Sequence, residues 1–301
     1  MLVCYTIYMY KQIISKTALH KNDTPYTPYS YDLNIYRGCE HKCTYCYAVY
    51  SHKYLDDADF FNNIYFKSNI DQVLDEQLSS GKFDHEIIGI GTVCDSYQPI
   101  EEQTNLTSKC LDVFIKHKTS ICLSTKSPLV LKDIEKLKKL SELTPISIAM
   151  TIISPNQDLI KLLEPNTVCS QTRFETLKTL KQNTSALVGI NLMPIIPFIT
   201  DSPEDIEEIY KMAKQLELDF VVTDVLNLYG ETRKSFLNFI KHNFADKYDK
   251  IKRLYSSSKA LAKYRKDIRA ICREIRIKHN FENKYIRDFV ENNRPKQLSL
   301  L

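Results

Sequence analysis

Short apolar runs recur along the chain, and each is followed by a segment in which apolar residues repeat with helical spacing. The six runs are LNIYRGC (33–39), EIIGIGTVC (86–94), SICLSTK (120–126), ISIAMTII (146–153), LVGINLMPII (187–196) and FVVTDVLNL (220–228). In the helical segment SPEDIEEIYKMAKQL (202–216), Ser202 is suited to the N-cap and Pro203 to the first helical position. The pattern therefore predicts six strand–helix units.

The six predicted strands are almost continuously apolar, which is typical of parallel strands that are buried on both faces. Units of this kind form a parallel sheet with helices outside it, and repeated right-handed crossovers curl the sheet toward a barrel. We therefore predict an α/β fold, namely a partial (β/α)6 barrel that resembles an incomplete TIM barrel. In barrels of this type, the residues that carry the chemistry follow the carboxyl ends of the strands.

The 301 residues suffice for one large domain or two ordinary ones. We predict an N-terminal lead-in at 1–30, the barrel core at 31–240 and a basic, helical C-terminal extension at 241–301. This extension holds 17 Lys and Arg residues against 7 Asp and Glu, whereas the whole chain holds 41 against 37. The excess indicates either a polyanion as partner or a solvated helical face, and both interpretations stay open.

The composition favours a folded cytoplasmic protein. Hydrophobic residues make up 43% of the chain, which is enough to bury a large core. The apolar start MLVCYTIYMY stops at Lys11, so it is too short to span a membrane, and it lacks the features of a signal peptide. Nine cysteines in a reducing compartment favour metal binding over disulfides wherever they cluster. Five isolated ones show no ligand spacing and are interpreted as structural: Cys4, Cys110, Cys122, Cys169 and Cys272.

Three other cysteines lie within eight positions of the segment RGCEHKCTYCYA (37–48). Cysteine thiolates hold iron–sulfur clusters, and an ordinary four-iron cluster takes four of them. The three thiolates of Cys39, Cys43 and Cys46 would leave one iron open to another ligand. A zinc site completed by His41 is the alternative, but structural zinc sites usually draw their ligands from two separated segments.

The spacing Cys39-x3-Cys43-x2-Cys46, placed after a strand and with Tyr45 before the last cysteine, resembles the signature of the radical S-adenosylmethionine (SAM) enzymes. The resemblance implies that the three cysteines hold a [4Fe–4S] cluster and that SAM binds its open iron. In that superfamily, an electron from the cluster cleaves SAM to methionine and a 5'-deoxyadenosyl radical. A reductant such as flavodoxin or ferredoxin is therefore an expected partner.

Further segments between about 31 and 228 resemble the spore-photoproduct-lyase-like family of radical SAM proteins. They are YDLNIYRGCEHKCTYCYAVYSHKYL, CDSYQPIEEQTNLT, STKSPLVLKDIEKL, LEPN followed by Arg173, and PIIPFITDSPEDIEEI. The resemblance implies a lyase-like enzyme that repairs DNA photoproducts or modifies nucleic acid in another way. Two alternatives stay open: a radical SAM enzyme that acts on a protein or small molecule, and a metal-binding protein without catalysis.

The same resemblance implies reaction roles for Cys94 and Tyr47. Cys94 occupies the place of a cysteine that donates a hydrogen atom to the product radical, although the residues after it match the lyase branch only in part. Tyr47 resembles a tyrosine that passes the radical back, and Tyr45 resembles one that packs against SAM. A small buried cysteine and packing tyrosines are the alternative interpretations.

Lys126 and Arg173 are the remaining residues for which the resemblance implies a SAM contact. Lys126 ends the third predicted strand, where its ammonium group would neutralise the SAM carboxylate. Arg173 follows the fourth strand, as does Glu164 of LEPN, and would contact the SAM carboxylate or ribose. A surface lysine and a structural arginine are the alternatives. The glycine-rich motif with which other radical SAM families bind the SAM amino group is absent, and only Gly91-Thr92 stands near its place.

Overall fold

The computed structural model describes residues 8–55, 57 and 59–293. Cys4, which we predicted to be structural, lies outside the described residues. The strands are β1 (Met9–Ile13), β2 (Leu19–Lys21), β3 (Tyr31–Leu33), β4 (Tyr36–Arg37), β5 (Asn63–Lys67), β6 (Ile87–Ile90), β7 (Ser120–Thr125), β8 (Ser147–Thr151), β9 (Leu187–Ile195) and β10 (Phe220–Val225). The α-helices are α1 (Ile70–Ser79), α2 (Glu101–Thr104), α3 (Leu106–His117), α4 (Ile134–Leu143), α5 (Gln157–Leu163), α6 (Ser170–Asn183), α7 (Pro203–Gln215), α8 (Gly230–Asn243), α9 (Ala245–Leu254), α10 (Ser258–Lys278) and α11 (Ile286–Asn293). Segments of 3-10 helix span Tyr47–Leu55 and Pro128–Asp133.

The main sheet has seven strands in the order β10-β9-β8-β7-β6-β3-β2. The six strands from β3 to β10 in this sheet pair in parallel, and β2 joins β3 antiparallel at one edge. Helices connect successive parallel strands, as the alternating sequence pattern indicated. The structure confirms the predicted α/β fold with a parallel sheet of six strand–helix units.

The first predicted strand is divided between two sheets. β3 ends at Leu33, and Tyr36–Arg37 pairs antiparallel with β5 in a second sheet of order β1-β5-β4. An apolar run does not reveal which neighbour a strand pairs with, so the sequence pattern could not show this division. The division places β4 directly before the cysteine loop.

Alternate residues of the parallel strands face two different regions, the packed core and the barrel interior. One set is apolar and at most 1% exposed, and it packs against the helices: Leu33, Ile88, Leu123, Met150 and Ile190. The set between them is small or polar: Asp32, Gly89, Ser124, Ala149 and Asn191. Because neighbouring side chains of a strand point to opposite faces, the second set lines the interior of the barrel.

Helix α7 begins as the sequence predicted. The Ser202 hydroxyl accepts a hydrogen bond from the backbone N–H of Asp205 at 3.1 Å, and Pro203 is the first helical residue. This bond satisfies one of the amide groups that a helix start leaves without a partner. Ile206 and Ile209 of the same helix are buried against the sheet.

Two C-terminal helices cover the sheet at different places. The buried residues Ile268 and Cys272 belong to the face of α10 that packs on α7 and β10. Ile286 and Val290 of α11 pack against Ile87 and Cys122, near the amino ends of their strands. Helix α11 therefore covers that end of the barrel, and the interior opens at the carboxyl ends of the strands.

The predicted division into lead-in, core and extension stays a prediction. Helix α8 runs through the predicted boundary at 240/241, and the chain continues into α9 at Ala245. In the part of the chain that the structure describes, no helix combines the length and the apolar character needed to cross a membrane.

Candidate active site

The cysteine loop begins at Gly38, directly after β4. Gly38 has φ +83°, and a Cβ atom there would lie 2.6 Å from a backbone oxygen of β5, so only glycine fits. Cys39 and Cys43 are buried, and Cys46 is partly exposed. Burial raises the pKa of all three thiols, and the charge of the Cys43 thiolate raises the pKa of Cys39 further. The three cysteines therefore lie in one loop that directly follows β4.

Neighbouring segments hold the loop through its backbone. Gln98 accepts a hydrogen bond from the backbone N–H of Glu40 at 2.9 Å and donates one to the Gly38 carbonyl at 3.1 Å. The backbone N–H of Thr44 donates to the Leu163 carbonyl at 2.9 Å. The protein itself therefore fixes the path of the chain between the cysteines.

Asp95 links the cysteine loop to the end of β7. Its carboxylate accepts hydrogen bonds from His41 Nε2 at 3.0 Å, from Thr125 Oγ1 at 2.7 Å and from the backbone N–H of Lys126 at 2.7 Å. Burial alone would raise the pKa of Asp95, but His41 and the other donors lower it to about 2. Sequence reasoning missed this residue, although a charged residue directly after Cys94 at the end of an apolar run was an available signal.

Glu164 and Arg173 form a fully buried ion pair beside the loop. Arg173 Nη2 lies 2.5 Å from Glu164 Oε2, and neither side chain is exposed. Glu164 also accepts a hydrogen bond from the Tyr45 hydroxyl. Burial would raise the pKa of Glu164, but the charges of Arg173 and Lys126 lower it below its usual range. The pair therefore positions Tyr45 within the cysteine loop.

The remaining donors of Arg173 are directed at protein oxygen atoms. Nη1 donates to the Thr151 carbonyl at 2.8 Å, and Nε and Nη2 donate to the Val168 carbonyl at 3.1 and 2.8 Å. The Thr167 hydroxyl accepts another bond at 2.5 Å. These contacts give Arg173 a structural role. Its predicted contact with SAM stays a prediction.

Lys126 lies at the mouth of the barrel without an ion-pair partner among the described residues. Its Nζ atom is 5.9 Å from the centre of the Tyr45 ring, and the side chain is partly exposed. Burial would lower the pKa of Lys126, but the Cys43 thiol and the Glu164 carboxylate raise it. Lys126 thus presents a positive charge next to the cysteine loop.

Cys94 lies four residues beyond the end of β6, whereas the sequence pattern extended the strand as far as Cys94. The strand ends earlier because Gly91 has φ +78°, which is not an extended conformation. The Cys94 thiol is 5% exposed and donates to the Tyr36 carbonyl, with 2.9 Å between Sγ and oxygen. Burial raises the pKa of Cys94 to about 12, although the charge of Lys67 opposes this, so the residue remains a thiol at neutral pH.

Tyr47 lines the barrel mouth beside Cys46. Its hydroxyl donates to the Thr92 carbonyl, and 57% of its surface is exposed. Its pKa is nevertheless raised far above the usual value, mainly because the surrounding protein desolvates the phenol.

Comparison with known proteins shows to which family the chain belongs. Residues 33–213 match the profile of the Radical SAM superfamily. The chain belongs to this superfamily. The matched residues begin at the last residue of β3 and include the cysteine loop and the parallel strands β6 to β9 of the main sheet.

Relatives of this radical SAM protein occur in distant organisms. The chain is 26% identical over 252 residues to an uncharacterized protein of Mycobacterium tuberculosis, covering 82% of this chain and 73% of that protein. It is 29% identical over 232 residues to an uncharacterized protein of Methanocaldococcus jannaschii, covering 76% and 82%.

A solved structure of a spore photoproduct lyase mutant with bound AdoMet and dinucleoside spore photoproduct has the same fold. The TM-score is 0.58 with 15% sequence identity, and the match covers 76% of this chain and 66% of that chain. The predicted resemblance to the radical SAM superfamily is confirmed, the likeness to spore photoproduct lyase is confirmed at the level of the fold, and the protein is a radical SAM enzyme. The [4Fe–4S] cluster and SAM are the cofactors of the superfamily, as we predicted.

The side chains of the cysteine loop fit a cluster better than a single zinc ion. A structural zinc site would need His41 as its fourth ligand, and His41 Nε2 is instead hydrogen-bonded to Asp95. A four-iron cluster is held by cysteine thiolates, and the loop offers three of them. Lys126, which forms no ion pair in the described part of the chain, lies beside the loop and fits the carboxylate of SAM.

The other cysteines in the described part of the chain lie outside the loop. Cys110 and Cys272 are buried on α3 and α10, and Cys122 is buried on β7. Cys169 precedes α6 and is partly exposed. Their predicted structural role stays a prediction, as do the roles of the individual site residues.

Proposed function

We propose that the protein forms a 5'-deoxyadenosyl radical from SAM and uses it on a base of nucleic acid, either to repair a DNA photoproduct or to make another modification. Cys39, Cys43 and Cys46 would hold the [4Fe–4S] cluster. The bound cluster supplies the electron that cleaves SAM. Radical SAM enzymes take this electron from an external reductant, and flavodoxin or ferredoxin in the cytoplasm is the source that we propose.

The positions of the residues around the loop support a different role in cofactor binding for each of them. Lys126 would pair with the SAM carboxylate, because its ammonium group has no acidic partner among the described residues and lies next to Cys43. Tyr45 would pack against SAM from a position fixed by Glu164. Arg173 would act through Glu164, since its own donors are directed at the protein.

Cys94 is the proposed hydrogen-atom donor. In that step the S–H bond breaks, a C–H bond forms on the substrate radical, and a thiyl radical remains on sulfur. The raised pKa of Cys94 supports this role, because a thiolate would have no hydrogen atom to give. The thiyl radical would then recover a hydrogen atom from the Tyr47 hydroxyl, which leaves a tyrosyl radical. With 5% of its surface exposed, Cys94 requires a substrate that contacts this small area.

One surface of the protein supports the proposal that the substrate is a nucleic acid. Helix α10 exposes a basic face, defined here by five residues that share one side of the helix and form no ion pair in the described part of the chain: Lys259, Lys263, Lys266, Arg269 and Arg273. Arg265 of the same helix donates to the Asn227 side chain, directly beyond the carboxyl end of β10. The basic face therefore lies beside the barrel mouth, where a phosphate backbone could be bound.

Exposed tyrosines at the mouth support the same partner. Tyr229, which is 74% exposed, stands three residues before Thr232, whose hydroxyl donates to the Cys46 carbonyl at 3.0 Å. Tyr47 follows Cys46 and is also exposed. Proteins that bind single strands combine aromatic rings, on which bases stack, with a basic groove for the backbone.

Isotope transfer tests the proposal directly. Reduced, anaerobic enzyme is incubated with unlabelled SAM and with DNA that carries ultraviolet photoproducts of deuterated thymine, and the nucleosides are analysed by mass spectrometry. We expect deuterium in 5'-deoxyadenosine or SAM, and a DNA product that forms only when SAM is present. Unchanged DNA and RNA under conditions in which SAM is cleaved would favour a protein or small molecule as substrate.

A further inference from the structure

A buried lysine ends strand β5. Lys67 is 4% exposed, and its ammonium group forms no ion pair or hydrogen bond with another described residue. Burial and, to a smaller extent, the charge of Arg37 lower the pKa of Lys67 to about 8, so most of the side chain is still protonated at neutral pH. A buried charge without an opposite charge costs free energy, and such residues are concentrated at functional sites. Lys67 is therefore a candidate for binding an anion.

A second cation lies beside Lys67 on the same face of the small sheet. Strands β4 and β5 pair antiparallel, with Arg37 opposite Tyr65. Lys67 is two residues beyond Tyr65, so its side chain points to the same face as that of Arg37. Diagonal neighbours of this kind are about 7–8 Å apart, which is within reach of long side chains. Arg37 is partly buried and, within the described chain, also forms no ion pair, so two positive charges lie side by side without an acid.

Hydrogen bonds place Cys94 next to these two cations. The backbone N–H of Lys67 donates to the Ile35 carbonyl at 3.2 Å. The Cys94 thiol donates to the carbonyl of the next residue, Tyr36, with 2.9 Å between sulfur and oxygen. Arg37 follows Tyr36 directly. Lys67 and the proposed hydrogen-atom donor are therefore bound to successive carbonyl groups of the segment that leads into the cysteine loop.

We propose that Arg37 and Lys67 together bind one phosphate group of the substrate and thereby hold the substrate beside Cys94. Phosphate oxygens accept hydrogen bonds from the guanidinium group as well as from the ammonium group, and their negative charge offsets the repulsion between the two cations. In a nucleic acid, this group is the phosphodiester next to the base that reacts. The inference rests on the proposed function and names the residues that bind the backbone at the reaction site.

Calorimetric titration with two dinucleotides tests the inference. The probes are d(TpT) and its methylphosphonate analogue, in which the linkage between the nucleosides carries no charge. Each is titrated into the anaerobic, cluster-loaded enzyme to obtain its dissociation constant. We expect the wild type to bind d(TpT) about tenfold more tightly, because hydrogen bonds to charged groups contribute roughly this much. The double variant Arg37→Met with Lys67→Met should bind both dinucleotides equally.

A matched control is Lys11, which lies opposite Tyr65 on β1 but already has an acidic partner, Asp57, at 3.5 Å. Lys11→Met should therefore keep the full preference for d(TpT).

Urea unfolding with and without inorganic phosphate, at constant ionic strength, gives a second readout that needs no nucleotide. Phosphate should raise the unfolding midpoint of the wild type and of Lys11→Met, because a ligand that binds only the folded state stabilises it. It should not raise the midpoint of the double variant. Without phosphate, Lys67→Met should be at least as stable as the wild type, because it removes a buried charge that has no partner. Strong destabilisation by this single variant would mean that the protein itself pairs with Lys67, and would overturn the proposal.

The outcomes separate this inference from the function proposed above. Equal binding of the two dinucleotides by the wild type, or an undiminished preference in the double variant, would overturn the role of Arg37 and Lys67. A phosphate effect on unfolding that persists in the double variant would overturn it as well. If neither dinucleotide bound, but phosphate stabilised the wild type and not the double variant, the phosphate site would be supported and the nucleic-acid function would be contradicted.

Discussion

Arg173 and Glu164 lie 2.5 Å apart with no exposed surface, and Glu164 in turn holds the hydroxyl of Tyr45 in the cysteine loop. Removing one member of a buried pair leaves an uncompensated charge. We expect Arg173→Met to lower the free energy of unfolding by about 3–5 kcal/mol, measured by urea denaturation. The double variant Glu164→Gln with Arg173→Met should recover part of this loss, because it removes both charges.

A matched control is the exposed pair of Lys234 and Glu231 on α8, whose nitrogen and oxygen atoms lie 2.8 Å apart. Lys234→Met should leave the free energy of unfolding unchanged within error, because solvent screens exposed pairs. An equally small effect of Arg173→Met would contradict the role of the buried pair.

Lowering the pH should lower the free energy of unfolding, because Asp95 becomes protonated. The folded-state pKa of about 2 lies below the ordinary value of 3.8, so this carboxylate stabilises the protein above pH 4. That contribution, about 2 kcal/mol, is lost as the pH falls from 4 to 2. Urea unfolding measured between pH 2 and 6 should show a flatter profile for Asp95→Asn than for the wild type. Parallel profiles would mean that Asp95 is not held ionised as the structure indicates.

The sequence alone could predict the repeated strands and the cysteine loop, but not the contacts that join them. Buried parallel strands are apolar along their whole length, and three ligands of one loop are adjacent in the sequence. The bond between His41 and Asp95 spans 54 positions and depends on how the crossovers bring β6 and β7 to the loop. Periodicity could not reveal that Gly91 ends β6 before Cys94, because glycine is compatible with both a strand and a turn.

Cys94 should resist alkylation, because the thiolate is the reactive form of cysteine and its pKa is about 12. Cys169 is the internal control: it is partly exposed, and hydrogen bonding by Thr172 lowers its pKa. At pH 8, iodoacetamide should modify Cys169 at least tenfold faster, as followed by peptide mass spectrometry. Similar rates at the two cysteines would show that Cys94 is more accessible or more acidic than the structure indicates.

Replacing Cys94 should change the product and leave the cofactor intact. Cys94→Ser keeps the size of the side chain, but its O–H bond is too strong to give up a hydrogen atom readily. We expect unchanged iron content and SAM cleavage, together with unreduced or misrouted products, as measured by mass spectrometry. Loss of the cluster would make Cys94 a ligand or a folding residue, and an unchanged product would remove it from the reaction.

The salt dependence of nucleic-acid binding should test the role of the basic face of α10. Each phosphate that the protein neutralises on a single strand contributes about 0.7 to the slope of log affinity against log salt. Lys266→Glu with Arg269→Glu should therefore reduce that slope by about 1.4. We leave Arg265 unchanged in this test, since it also bonds to Asn227.

Lys138→Glu with Lys139→Glu changes the same number of charges on the exposed surface of α4 and serves as the control. An equal change of slope in both double variants would indicate a general effect of net charge. The basic face would then be a solvated surface, which is the alternative that the sequence left open.

The most direct measurement of the central claim combines iron content with the formation of 5'-deoxyadenosine from SAM by the reduced, anaerobic protein. The wild type should contain about four irons per chain and form 5'-deoxyadenosine. Cys39→Ala, Cys43→Ala and Cys46→Ala should each lose the iron and form none, whereas Cys110→Ala should behave like the wild type. Stoichiometric zinc without iron, or 5'-deoxyadenosine from a variant that lacks one of the three thiolates, would contradict the account.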